Sequence, residues 1–135
     1  MMKRLVILAL IAVSVISCDL GDGDNTQLVL GPIQDVTMAT SYKVDSVSVI
    51  TIRCVRPTDC HIVNGFYYDI EGFTRTVAME FAVTDGNNCQ PETYPYEVPL
   101  NFEPREPGTY LFRFWDGQNQ DGTDHFFEAE AVVPE

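Results

Sequence analysis

Histidine is nearly absent from this chain of 135 residues, which has two, His61 and His125. Neither has a second histidine or a cysteine at ligand spacing, and no HExxH or GxSxG pattern occurs, so the signatures of metalloproteases and serine hydrolases are missing. Cys60 lies beside His61, but neighbouring residues on a strand face opposite sides, which argues against a nucleophile and base pair. Paired carboxylates cannot be picked out among so many acids, because their separation is set by the fold. The expectation is a non-catalytic protein without a cofactor. Basic residues are also scarce, with eight lysines and arginines against 20 acidic residues. Nucleic acid and anionic lipid headgroups are repelled by that balance and are not expected partners. A long hydrophobic run is lacking too, since Leu5 to Val15 falls short of the roughly 20 residues a spanning helix needs. Beyond it, no stretch keeps a helical period for long.

What the N-terminus does contain is ordered. Lys3 and Arg4 precede the short apolar run, the arrangement of a secretory signal peptide over residues 1–17. The run ends in Val15-Ile16-Ser17-Cys18, which resembles a bacterial lipobox, whose cysteine thiol is joined to diacylglycerol before cleavage leaves it N-terminal. Asp19, Asp22 and Asp24 follow among Gly21, Gly23 and Asn25, a composition that buries nothing and reads as a flexible acidic tether over residues 18–26. Each buried methylene contributes about 0.8 kcal/mol, so two or three acyl chains on Cys18 hold a protein on a bilayer without a transmembrane helix. Loss of Lys3 and Arg4 leaves six of the eight basic residues against 20 acidic ones, a net charge of about −14. Residues 27–135 then form one domain, long enough for a single core.

Alternation with a period of two recurs through that domain. Val77, Met79, Phe81 and Val83 alternate with more polar or smaller residues, as do Tyr96, Val98, Leu100 and Phe102. Pro99 has no N–H for a ladder, which predicts an edge strand or an outward, unpaired position. Ser46 to Val55 is apolar on both faces, as in a central or bulged strand. Ile62, Phe66, Tyr68 and Ile70 share one parity, Tyr110, Phe112 and Phe114 form an aromatic row, and Phe127, Ala129, Ala131 and Val133 close the chain. Tyr110, just after Pro107-Gly108, is placed to hydrogen-bond a neighbouring loop as corner tyrosines do. Turn signals separate the runs at Arg56 to Asp59, Glu71-Gly72, Asp85 to Asn88, Pro107-Gly108 and Asp121-Gly122. With a first strand within Leu28 to Met38, about seven short strands predict an all-β, immunoglobulin-like antiparallel sandwich.

Besides Cys18 the cysteines are Cys54, Cys60 and Cys89. In an exported chain one disulfide is expected, with one thiol left over. On the chain-entropy estimate a Cys60 to Cys89 bridge stabilises by about 3.5 kcal/mol and a Cys54 to Cys60 bridge by about 2 kcal/mol, so energy mildly favours the longer loop while a short bridge across a hairpin stays open.

Several elements in order carry a resemblance: Asp59-Cys60-His61, Gly65-Phe66-Tyr67-Tyr68, Thr74 to Ala78, Asn88-Cys89, Pro107 to Tyr110, and Phe112-Arg113-Phe114-Trp115. From about Val44 to the C-terminus the chain resembles a group of small lipoproteins of Bacteroidetes, chiefly flavobacteria, with no established activity. The resemblance implies an immunoglobulin-like sandwich with a bridge matching Cys60 and Cys89, and that pattern has no counterpart of Cys54. It also implies that the acidic residues after Cys18 accompany an outer-membrane address, the domain facing the periplasm or the surface.

Two candidate sites remain. Aligning Gly122 with the glycine of an EF-hand loop puts Asn119, Asp121 and Glu128 at oxygen-donor positions, with Asp124 crowding the same connection. Position one is then Gly117, which offers no side chain, and strands flank the loop, so a polar hairpin turn is the preferred reading over a metal site. Trp115 and Tyr67 have the opposite parity to their core-facing neighbours. Either Trp115 caps the end of the sandwich beside the hairpin, the arrangement the sequence favours, or the two rings form a platform for a glycan or a protein partner.

Overall fold

The computed structural model describes residues 26–84 and 88–135. The signal peptide, Cys18 and the tether up to Asn25 lie outside the described residues, as do Asp85, Gly86 and Asn87 of one expected turn. Among the described residues eight strands form: β1 (Thr26–Gly31), β2 (Asp35–Thr37), β3 (Ser48–Val55), β4 (His61–Glu71), β5 (Thr74–Thr84), β6 (Pro95–Phe102), β7 (Gly108–Gln118) and β8 (Asp124–Val133). No helix among them is long and apolar enough to cross a membrane. The strands make the expected all-β sandwich, a five-stranded sheet of β1, β4, β5, β7 and β8 packed on a three-stranded sheet in the order β2-β3-β6. Ile50, Ile52, Leu100 and Phe102 of the smaller sheet meet Val77, Met79, Phe81, Phe112 and Phe114 of the larger one in a single buried cluster.

One pair departs from the antiparallel expectation. β5 and β7 run parallel from Thr74↔Leu111 to Val77↔Phe114, because β6, in the other sheet, lies on the crossover between them. Both β1 and β7 lie along β5, β1 beside Met79 to Thr84 and β7 beside Thr74 to Val77.

The expected first strand is split between the sheets. Pro32 has no N–H to continue the ladder, and the next two amides donate to different layers, Ile33 to the Trp115 carbonyl at 2.8 Å and Gln34 to that of Arg53 at 2.8 Å. Gly31 sits at the crossing, where a Cβ would lie 2.1 Å from the Phe81 ring. Pro99 lies on β6, an edge strand, with its side chain exposed, as the missing donor requires. Tyr110 is a corner tyrosine, its hydroxyl donating to the Glu106 carbonyl at 2.7 Å.

β4 corrects one assignment. The pairing steps from Val63↔Phe81 to Gly65↔Glu80, leaving Asn64 as a bulge residue, so parity reverses there. Val63, Phe66 and Tyr68 pack on the core, whereas Ile62 is turned out and 58% exposed; Ile70 keeps the parity of Tyr68 but lies at the hairpin end of the strand and is 61% exposed.

The bridge is Cys60 to Cys89, with Cα atoms 5.4 Å apart. Cys54 is a free thiol, fully buried, and that burial raises its pKa above the usual thiol range. A bulky maleimide should therefore leave Cys54 unlabelled in the native protein and modify it after non-reducing unfolding, as read by peptide mass. Rapid labelling of native Cys54 would contradict its placement.

Candidate functional site

The register of the larger sheet assembles a site on its outward face. On β5, Val77 and Met79 point into the core, so Ala78 points out. Tyr67 is the partner of Ala78 on β4, Trp115 lies one residue past the Val77↔Phe114 pair on β7, and Phe126 is the partner of Trp115 on β8. One row thus crosses four strands as Tyr67, Ala78, Trp115 and Phe126. Its second member is the smallest, and rings rise on either side of it.

The result is a groove of about 500 Å³ lined by Leu30, Tyr67, Thr76, Ala78, Trp115, Gln118, Asp124 and Phe126. That lies within the size range of small-molecule sites, which combine apolar walls with a few placed polar groups. Tyr67 is 46% exposed and Leu30 48%, while Ala78, the floor, is 2% exposed beneath them. The two rings singled out from parity therefore share one concavity. Trp115 does not cap the end of the sandwich as expected: its indole lies half-buried on the outer face, and its Nε1–H donates to Asp124 Oδ1 at 3.1 Å. Phe126 is covered by the Arg113 guanidinium 4.1 Å from its ring centre, and Arg113 also lies 3.6 Å from Glu128.

Phe126, Leu30 and Ala78 were not anticipated. Phe126 could have been found from its parity against Phe127. Leu30 could not, because its orientation depends on where the first strand breaks.

The acidic hairpin loop is organised by its own hydrogen bonds. Asp121 accepts from the amide of Thr123 at 3.0 Å and from its hydroxyl at 2.6 Å, contacts that hold its carboxyl below the usual range. Asn119 donates to Thr123 Oγ1 at 2.9 Å, and Gly122 takes the positive φ of 88° that the turn requires. Asp124 turns to Trp115, and Glu128 lies beside Arg113 on β8. Asn119 and Asp121 are thus both tied to Thr123, Asp124 to Trp115 and Glu128 to Arg113. Among the described residues one cluster brings three metal-type donor atoms within 4.8 Å, namely Asp59, Cys60 and Cys89, and its two sulfurs are joined in the disulfide.

The histidines are separately occupied. His61 Nδ1 pairs with the Thr58 hydroxyl at 2.8 Å, and His125 Nδ1 pairs with Asp116. With Cys60 oxidised in the bridge, the Cys60 and His61 pair has no thiol nucleophile. Near the bridge, Glu92 accepts from Arg56 Nε at 2.5 Å, from Arg56 Nη2 at 2.6 Å and from the Tyr96 hydroxyl at 2.8 Å. Those bonds, Arg56 first, hold the Glu92 carboxyl below its usual range and tie the loop before β6 to the start of the β3 to β4 turn.

Compared with known proteins, the chain matches no family profile, no curated protein and no solved structure.

Proposed function

We propose that the protein is a lipid-anchored, non-catalytic binding module of the bacterial outer membrane, the address that its resemblance to Bacteroidetes lipoproteins implies, with the groove between Tyr67 and Trp115 as its ligand site. The observation that carries the binding role is the row Tyr67, Ala78, Trp115 and Phe126: four outward side chains, three of them aromatic, around a small floor. Aromatic rings left half-open beside a carboxylate and a carboxamide offer both apolar contact and orientation. The anchor rests on the basic start, the short apolar run and Cys18.

Both parts are testable. Trp115 is the single tryptophan, so acrylamide quenching of emission excited at the red edge, where tyrosine does not absorb, reports on the groove. Strong quenching in the native protein is expected, and emission shielded until unfolding would rule the groove out. For the anchor, the mature chain should begin at an acylated Cys18, and Cys18→Ser should abolish membrane fractionation.

A further inference from the structure

We propose that the groove takes one neutral six-membered sugar ring, a terminal pyranose standing between Tyr67 and Trp115, an inference that rests on the groove being the ligand site. Tyr67 is on β4 and Trp115 on β7, with β5 between them. Two strand spacings make about 9.5 Å. That is the separation of their backbones, and the groove the two side chains line has room for a single ring over the Ala78 floor. A saturated sugar ring presents polarised C–H bonds on its faces, which suit the negative faces of the aromatics, and hydroxyls around its edge.

The polar groups of the groove suit those hydroxyls. Asp124 uses Oδ1 to accept the Trp115 indole N–H, which fixes the ring, and a carboxylate has a second oxygen with which to accept an O–H. Gln118, also lining the groove, brings a carboxamide that both donates and accepts. Thr76 adds a hydroxyl beside the Ala78 floor.

Charge narrows the class. Asp69 and Glu128 occupy the next outward row with Thr76 and Arg113, and the only cation of that row already contacts Glu128 and the Phe126 ring. An anionic sugar would face Asp124 and this acidic surround without a free guanidinium. An organic ammonium is drawn to open ring faces, and at Phe126 one face is already taken by the chain's own arginine.

The test uses the whole mature protein in a polyoxyethylene detergent, which carries neither a sugar nor an ammonium group. Isothermal titration and Trp115 emission are followed with the methyl glycosides of glucose, galactose, mannose and N-acetylglucosamine, with glucuronate, and with choline. At least one neutral glycoside should bind saturably in the millimolar range expected of a single ring, and glucuronate should bind more weakly. Tyr67→Ala and Asp124→Asn should each weaken the neutral glycoside roughly tenfold or more, while Tyr94→Ala, at an exposed tyrosine outside the groove lining, leaves it unchanged. Circular dichroism confirms that the variants fold. Silence with every neutral glycoside, or saturation by choline alone, overturns the sugar assignment. If Trp115 is still freely quenched in that case, the open groove survives; if it is shielded, the groove fails too.

Discussion

Replacing Cys60 and Cys89 by serine should lower stability by about 3.5 kcal/mol, because the bridge closes a loop of 29 residues in the unfolded chain. For a domain of this length that corresponds to a fall in melting temperature of about 10–20 °C. Circular dichroism melts of parent and Cys60→Ser/Cys89→Ser proteins measure it. The enclosed loop contains the whole β4 to β5 hairpin, whose strands pair from His61↔Val83 to Glu71↔Thr74. The bridge therefore joins the open end of a hairpin that is already folded, and its main effect is on the denatured ensemble. The spectrum at low temperature should accordingly keep its β character. A melting temperature unchanged within about 2 °C would mean that the unfolded chain gains nothing from the opened loop, contrary to the entropic account.

Gly31→Ala should be far more damaging than its single methyl suggests. The added Cβ would lie 2.1 and 2.6 Å from two carbons of the Phe81 ring, and Phe81 is itself fully buried. The ring has no solvent to move into, so either the core or the crossing from β1 to β2 must shift, at a cost of about 1–3 kcal/mol or more. Gly122→Ala provides a comparison, since nothing lies within 4 Å of its added Cβ and its cost comes from the positive φ alone. A double-mutant cycle with Phe81→Leu separates the steric part: a smaller side chain at that position should recover part of the loss, so the two effects should not add. Strict additivity would place the origin of the cost elsewhere.

Much of the layer structure is legible in the sequence because a half-buried strand writes its burial in a period of two. The runs ending in Val83, Phe102, Phe114 and Val133 all have their apolar parity on the core, and Pro99 marks an edge strand. Parity fails where an extra residue enters. Asn64 does not differ in type from residues that fit the ladder, yet as a bulge it turns Ile62 outward and Val63 inward. The parallel pairing of β5 with β7 leaves no local trace, since it is decided by a crossover through the other sheet.

The site shows the same division. Tyr67 and Trp115 follow from parity, but that they share a groove depends on β4, β5 and β7 being laid side by side, a long-range fact. The capping position favoured for Trp115 assumed that a large ring finds cover at the end of the sandwich. Instead it finds it among Asp124, Phe126 and Ala78 on the outside of the sheet.

The indole N–H of Trp115 provides the most direct check. As the single tryptophan, it gives one side-chain signal in a two-dimensional nitrogen–proton spectrum of the isotopically labelled protein. During titration with the neutral glycoside that binds most tightly, that signal should move in step with the backbone amides of Tyr67, Ala78 and Asp124, while those of Arg56 and Glu92 stay still. Saturable binding that leaves the Trp115 signal fixed, or that moves the Arg56 and Glu92 end instead, would show that the ligand sits elsewhere.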